Sequence, residues 1–128
     1  MDTGDVIRLK SWKGDYLYRP DIVEGVTTRY TGIGKSWTVV RKDDSIQLKS
    51  WKGDYLHRSK TDQGVTTGDN DLDNSWKINW NGPKISLKSS NGDFLSLAES
   101  GKVVATQKTG AGNNWSVEIV SSGRILVE

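Results

Sequence analysis

The chain has no cysteine and only one histidine, His57. Without cysteine there is no disulfide framework and no thiolate chemistry. With one histidine, and no carboxylate pair in an evident acid–base setting, the usual catalytic roles have few takers. The sequence points away from an enzyme, and it calls for no cofactor. An excess of one charge is missing too. Eighteen Lys and Arg against 16 Asp and Glu leave a net charge of +2, too slight for nucleic acid, which is met by clustered positive charge. No apolar run reaches the length of a membrane span, and the opening MDTGDVIRLK lacks the apolar core of a secretory signal. These features lead one to expect a soluble, cytoplasmic protein, for which release would need a non-classical route. No segment sustains a 3.6-residue apolar period, so helix should be nearly absent.

What the chain does have is glycine and tryptophan, 14 and 6 among 128 residues. So much glycine beside only 2 proline indicates tight turns rather than disorder. The stretch LKSWKGDYL occurs at Leu9–Leu17 and again at Leu48–Leu56, and a third copy, LKSSNGDFL, fills Leu87–Leu95. The markers recur without gaps every 39 residues: Ile7, Ile46 and Ile85; Gly14, Gly53 and Gly92; Asp15, Asp54 and Asp93; Val26, Val65 and Val104; Trp37, Trp76 and Trp115. Repeats of this length are structural units that cannot bury their apolar faces alone.

Each unit reads as four short strands. IRLK alternates apolar and polar residues, DYL follows a glycine turn, VTT is β-branched, and SWTVV, SWKIN and NWSVEIV alternate again. The expectation is an all-β chain, a β-trefoil: one domain over 1–128 with repeats at 7–45, 46–84 and 85–123 around a pseudo-threefold axis. A further strand is expected at 124–128, to pair as an extra edge or to reach a second molecule in a dimer. Ile7, Leu9, Leu17, Val26, Trp37 and Val39, with their 39- and 78-residue partners, are the expected core.

The pattern I-x-L-K-x-x-x-G-x-(Y/F)-L, then V-x-(T/A), then Trp, resembles the fascin-like trefoil repeats, including the actin-binding hisactophilins, and covers nearly the whole chain. The resemblance implies a protein-binding module, with filamentous actin as a partner. The stretch K-x-x-x-G-x-(Y/F)-L-H is also similar to single-domain trefoil lectins of the mussel type, whose histidine after the turn contacts galactose. Only His57 matches it here, Tyr18 and Ser96 standing in the other copies. The Gln of the ricin-type Q-x-W signature is replaced by Lys35, Asn74 and Asn113.

Other motifs fail on spacing. GIGKSW at Gly32–Trp37 lacks the first glycine of a phosphate loop and leads into a strand. DNDLDN at Asp69–Asn74 lacks the glycine and glutamate of a calcium loop.

The expected ligand-binding residues are those that copies one and two share and copy three lacks. Trp12 and Trp51 precede the Lys-Gly of a hairpin turn, where a side chain so large is hard to bury. Either each indole folds back over a neighbouring loop, or it forms a flat platform. In the first copy the platform would stand beside Lys13, Asp15, Tyr18 and Arg19; in the second, beside Lys52, Asp54, His57 and Arg58. Such a set suits a sugar, its apolar face on indole and its hydroxyls on a carboxylate and a cation; a galactose-type glycan is the nearest guess. It also suits a protein partner, since Trp and Arg dominate binding hot spots. The expected function is therefore a lectin with two related sites and one degenerate site, the alternative being an actin-binding module. The three aspartates, kept in every copy, read equally as turn residues bonding nearby backbone. Trp80 has no counterpart and no assigned role.

Overall fold

The computed structural model describes residues 1–22, 25–59, 64–69 and 74–123. The strand expected at 124–128 and most of the acidic loop 69–74 lie outside them. Among the described residues twelve strands follow one another: β1 (Val6–Lys10), β2 (Tyr16–Tyr18), β3 (Thr27–Arg29), β4 (Trp37–Lys42), β5 (Ser45–Lys49), β6 (Tyr55–Arg58), β7 (Val65–Gly68), β8 (Trp76–Asn81), β9 (Lys84–Ser89), β10 (Phe94–Leu97), β11 (Val103–Thr106) and β12 (Trp115–Ser121). Among the described residues the only helical pieces are 3-10 turns at Ile33–Lys35 and Ala111–Asn113 and a stub at Asn74.

Six strands close on themselves. β1 pairs with β4, β4 with β5, β5 with β8, β8 with β9, β9 with β12 and β12 with β1, all antiparallel. A closed barrel leaves no unpaired edge for another chain to extend. The other six strands make three hairpins, β2–β3, β6–β7 and β10–β11. Each hairpin leaves its barrel strand through a turn whose glycine, Gly14, Gly53 or Gly92, holds φ at 91°, 90° or 88°, a conformation other residues resist. Bridges between Gly25 and Thr66 and between Gly64 and Val104 tie neighbouring hairpins together. The strands β1–β4, β5–β8 and β9–β12 are called below the first, second and third quartets.

Alternation along the barrel strands sends Ile7, Leu9, Ile46, Leu48, Ile85 and Leu87 into one core. Trp37, Trp76 and Trp115 are fully enclosed in it. Each indole N–H donates to a hairpin carbonyl, of Leu17, Leu56 and Leu95, at 3.1, 3.0 and 3.0 Å. A buried indole needs such a partner, and these bonds fix each hairpin to the barrel strand that closes its quartet.

The expected core needs two corrections. Val26, Ile78 and Val117 are only partly buried, packed against the cluster from its margin. Val104 is displaced by a change of register. Leu17 faces Thr28 and Leu56 faces Thr67, but Leu95 faces Ala105 rather than Thr106. The tight Ala98–Lys102 turn, closed by Ala98 N–H to Lys102 O and Gly101 N–H to Ala98 O, both 2.9 Å, accompanies this one-residue slip. Because strand faces alternate, the slip turns Val103 and Ala105 to the core and leaves Val104 half-buried outside it.

Candidate functional site

The hairpin tips lean on the neighbouring quartet, not on their own. Trp12 donates its indole N–H to Leu97 O in the third quartet at 2.9 Å, and Lys13 Nζ reaches Glu99 O at 3.1 Å. Thirty-nine residues on, Trp51 donates to Arg19 O in the first quartet at 2.9 Å. Lys52 Nζ there reaches Asp21 twice, at 2.6 Å to its carbonyl and 2.8 Å to its carboxylate. The indoles keep 44% and 37% of their surface exposed, and each lysine ammonium stands over its neighbour's ring, at 5.2 and 5.4 Å.

The aspartates after the turn glycines serve the same joints. In each tip a serine four residues earlier donates its backbone N–H to the aspartate carbonyl at 2.7 Å, and the Ser11 and Ser50 hydroxyls donate to the Asp15 and Asp54 carboxylates. Asp54 also takes a forked bond from Arg19, with Nε at 3.1 Å and NH2 at 2.8 Å from Oδ2. Burial alone would raise the pKa of Asp54. The hydrogen bonds from Arg19, Ser50 and Thr67, with the Arg19 charge, outweigh it and hold the carboxyl below the ordinary aspartate value. In the next joint Arg58 Nε donates to the Asp93 carboxylate.

The two expected site sets are therefore regrouped. Arg19 is not beside Trp12, Lys13 and Asp15; it lies under Trp51 and pairs with Asp54. Arg58 is not beside Trp51; it pairs with Asp93. The reason is the length of the second strand. The three extended residues of β2 separate Asp15 from Arg19, and the four steps carry the arginine roughly 13 Å along the hairpin and into the next joint. Asp15, Tyr18 and Arg19 are buried, with 9%, 8% and 5% exposure, and His57 and Arg58 are partly buried. Only Trp12, Lys13, Trp51 and Lys52 of the expected residues are exposed.

Beside Trp12 lies an open cleft of about 750 Å³, within the roughly 300–1,000 Å³ usual for small-molecule sites. The third quartet supplies most of its lining: Ser96, Leu97, Val104 and Thr106 from the hairpin, Glu99 from its turn, and the Lys108–Asn113 segment. Asn113 braces that segment by donating its side-chain amide to Lys108 O at 3.0 Å. The slipped register is what presents Val104 here rather than to the core. Repeat comparison missed this cleft because copy three, poorest in tryptophan and arginine, looks degenerate. Its signal was the small side chains of Ser96, Gly110, Ala111 and Gly112 at one rim.

A six-stranded antiparallel barrel carrying three hairpins defines the β-trefoil class, and solved structures agree. A Caenorhabditis elegans protein of unknown function superposes with a TM-score of 0.79 at 22% identity, over 91% of this chain and 94% of that one. The BEL β-trefoil gives 0.79 at 17% identity, over 92% and 94%. The Polyporus squamosus lectin, solved with the epitope Neu5Acα2-6Galβ1-4GlcNAc, gives 0.80 at 17% identity, over 94% of this chain and 50% of that one. At such identities the likeness is one of fold. The chain belongs to the fascin family: the Fascin domain matches residues 24–117. No curated protein matches it in sequence.

Proposed function

We propose that the protein is a non-enzymatic carbohydrate-binding module whose principal site is the cleft between the Trp12 tip and the third quartet. The observation that carries this reading is an exposed indole lining an open cleft together with hydroxyl, carboxylate, amide and ammonium groups. A sugar ring offers an apolar face for the indole and hydroxyls for Ser96, Thr106, Glu99 and Lys108. Trp51 and Lys52 form the related second face, shallower because the first quartet fills the space beneath it. A single shallow site binds weakly, so useful affinity would come from multivalent presentation. The trefoil lectin among the structural neighbours supports the reading by fold alone. Screening the intact chain on a glycan array tests it: binding is expected, lost in Trp12→Ala and kept in Trp51→Ala. An empty array, or binding that survives Trp12→Ala, overturns it.

Membership of the fascin family favours a second reading, a protein-binding module with filamentous actin as partner. Co-sedimentation with actin filaments, weakened by salt because surface lysines would carry much of it, is the matching test.

A further inference from the structure

The three quartets carry equivalent positions around the cleft but do not offer equivalent space. Tyr18, His57 and Ser96 stand 39 residues apart, each just after the leucine in the second strand of its quartet. In the first quartet the Tyr18 ring lies on the backbone of Gly32. A Cβ built on Gly32 would sit 2.5 Å from the Tyr18 hydroxyl, and this glycine holds φ at 122°. In the third quartet the matching glycine is Gly110, and a Cβ built there meets nothing within 4 Å. Arg29 roofs the Tyr18 ring, its guanidinium 4.7 Å from the centroid. In the slipped third quartet the residue facing Phe94, as Arg29 faces Tyr16, is Thr106, whose side chain is shorter and carries no charge. His57 takes the corresponding position in the second quartet. Its ring packs on Gly68, where a Cβ would come within 2.8 Å of Nε2, and its Nδ1 lies 3.0 Å from Arg58 O.

The wall of the cleft is present in both end cases. Trp51 stands against the first quartet as Trp12 stands against the third, each donating to the carbonyl of the residue after position 18 or 96. We infer that Tyr18 is a built-in occupant of the first quartet's cleft, in the place a ligand takes in the third. The side chain at positions 18, 57 and 96 then sets how many clefts the molecule opens. This rests on reading the third-quartet cleft as the ligand site. It assigns a latent second site for the same class of ligand, a small hydroxylated ring, walled by Trp51 and closed by one tyrosine.

The test follows the indole N–H resonances of the 15N-labelled chain, in the wild type, Tyr18→Ser and Ser96→Tyr. The first probe is p-cresol, the tyrosine side chain without its backbone. It is expected to move the Trp12 resonance alone in the wild type, both Trp12 and Trp51 in Tyr18→Ser, and neither in Ser96→Tyr. Folded Tyr18→Ser in which Trp51 stays still overturns the inference, as does a wild type in which Trp12 stays still. Should Tyr18→Ser not fold, Ser96→Tyr decides alone: a Trp12 resonance that still responds overturns the inference, and its silence upholds it. Methyl β-galactoside and N-acetylglucosamine are then titrated in the same way. If p-cresol follows the expected pattern while neither sugar moves Trp12, the built-in occupant stands and the carbohydrate reading falls.

Discussion

Trp12 and Trp51 sit in identical nonapeptides, yet what lies beneath them differs. Under Trp51 are the Arg19 carbonyl and the Arg19–Asp54 pair; under Trp12 are the Leu97 carbonyl and an open cleft. Truncation should therefore affect folding alike and binding unlike. Each Trp→Ala change forfeits half-buried aromatic area and leaves a carbonyl without its donor, a loss of about 1–3 kcal/mol. Thermal melts should show similar drops of several degrees for both, while only Trp12→Ala loses the cleft ligand.

The Arg19–Asp54 pair predicts a pH effect whose sign is fixed. The folded pKa of Asp54 is held down, so its stabilising contribution is full above the unfolded aspartate value and disappears as pH falls through the folded one. The melting temperature should fall progressively below about pH 5, and Arg19→Met should make that acid limb shallower. An acid limb of unchanged slope in Arg19→Met would remove the pair from the account. At this scale the sequence marked tryptophan, lysine, aspartate and arginine at the tips, but joined each to its sequence neighbours. The true partners lie one repeat away, a distance that chain order does not display.

At the scale of the strand, the 39-residue period was legible almost throughout, because Ile-x-Leu and the closing tryptophans face inward in every quartet. It misled at β11, where a tight turn around Gly101 goes with a slip of one place and an exchange of faces for Val103 and Val104. The letters VVAT give no hint of this, since either valine can be the inward one. Two substitutions separate the registers. Val103→Ser should cost about 1–3 kcal/mol, an apolar group lost from the core with a hydroxyl left in its place. Val104→Ser should leave denaturant unfolding within about 0.5 kcal/mol of the wild type. Equal losses would mean that β11 keeps the period of its two relatives.

For the whole molecule, the three joints are held in different ways. The joint between the first and second quartets has an indole and an ion pair, that between the second and third has the Arg58–Asp93 pair, and that between the third and first has the Trp12 indole. The last joint is also where the barrel closes, since β12 pairs with β1 and Gly123 N–H bonds Asp5 at 2.8 Å. A barrel in which β1 and β12 lie side by side should tolerate rearranged ends. A circular permutant joined through residues 124–128 and opened at the exposed Gly82–Pro83 turn is expected to fold to the same strand content, with a melting temperature within about 10 °C of the parent's; the few degrees that a lost contact or two can cost set that margin. Failure to fold would show that the β8–β9 turn, not the closing seam, organises the barrel.

The Trp12 indole thus belongs at once to the seam that shuts the ring and to the wall of its open cleft. A pull on the two ends loads that seam first. Whatever lodges against the indole acts as a rivet across it, so occupancy becomes a mechanical property of the molecule, legible in the force at which its ends begin to part.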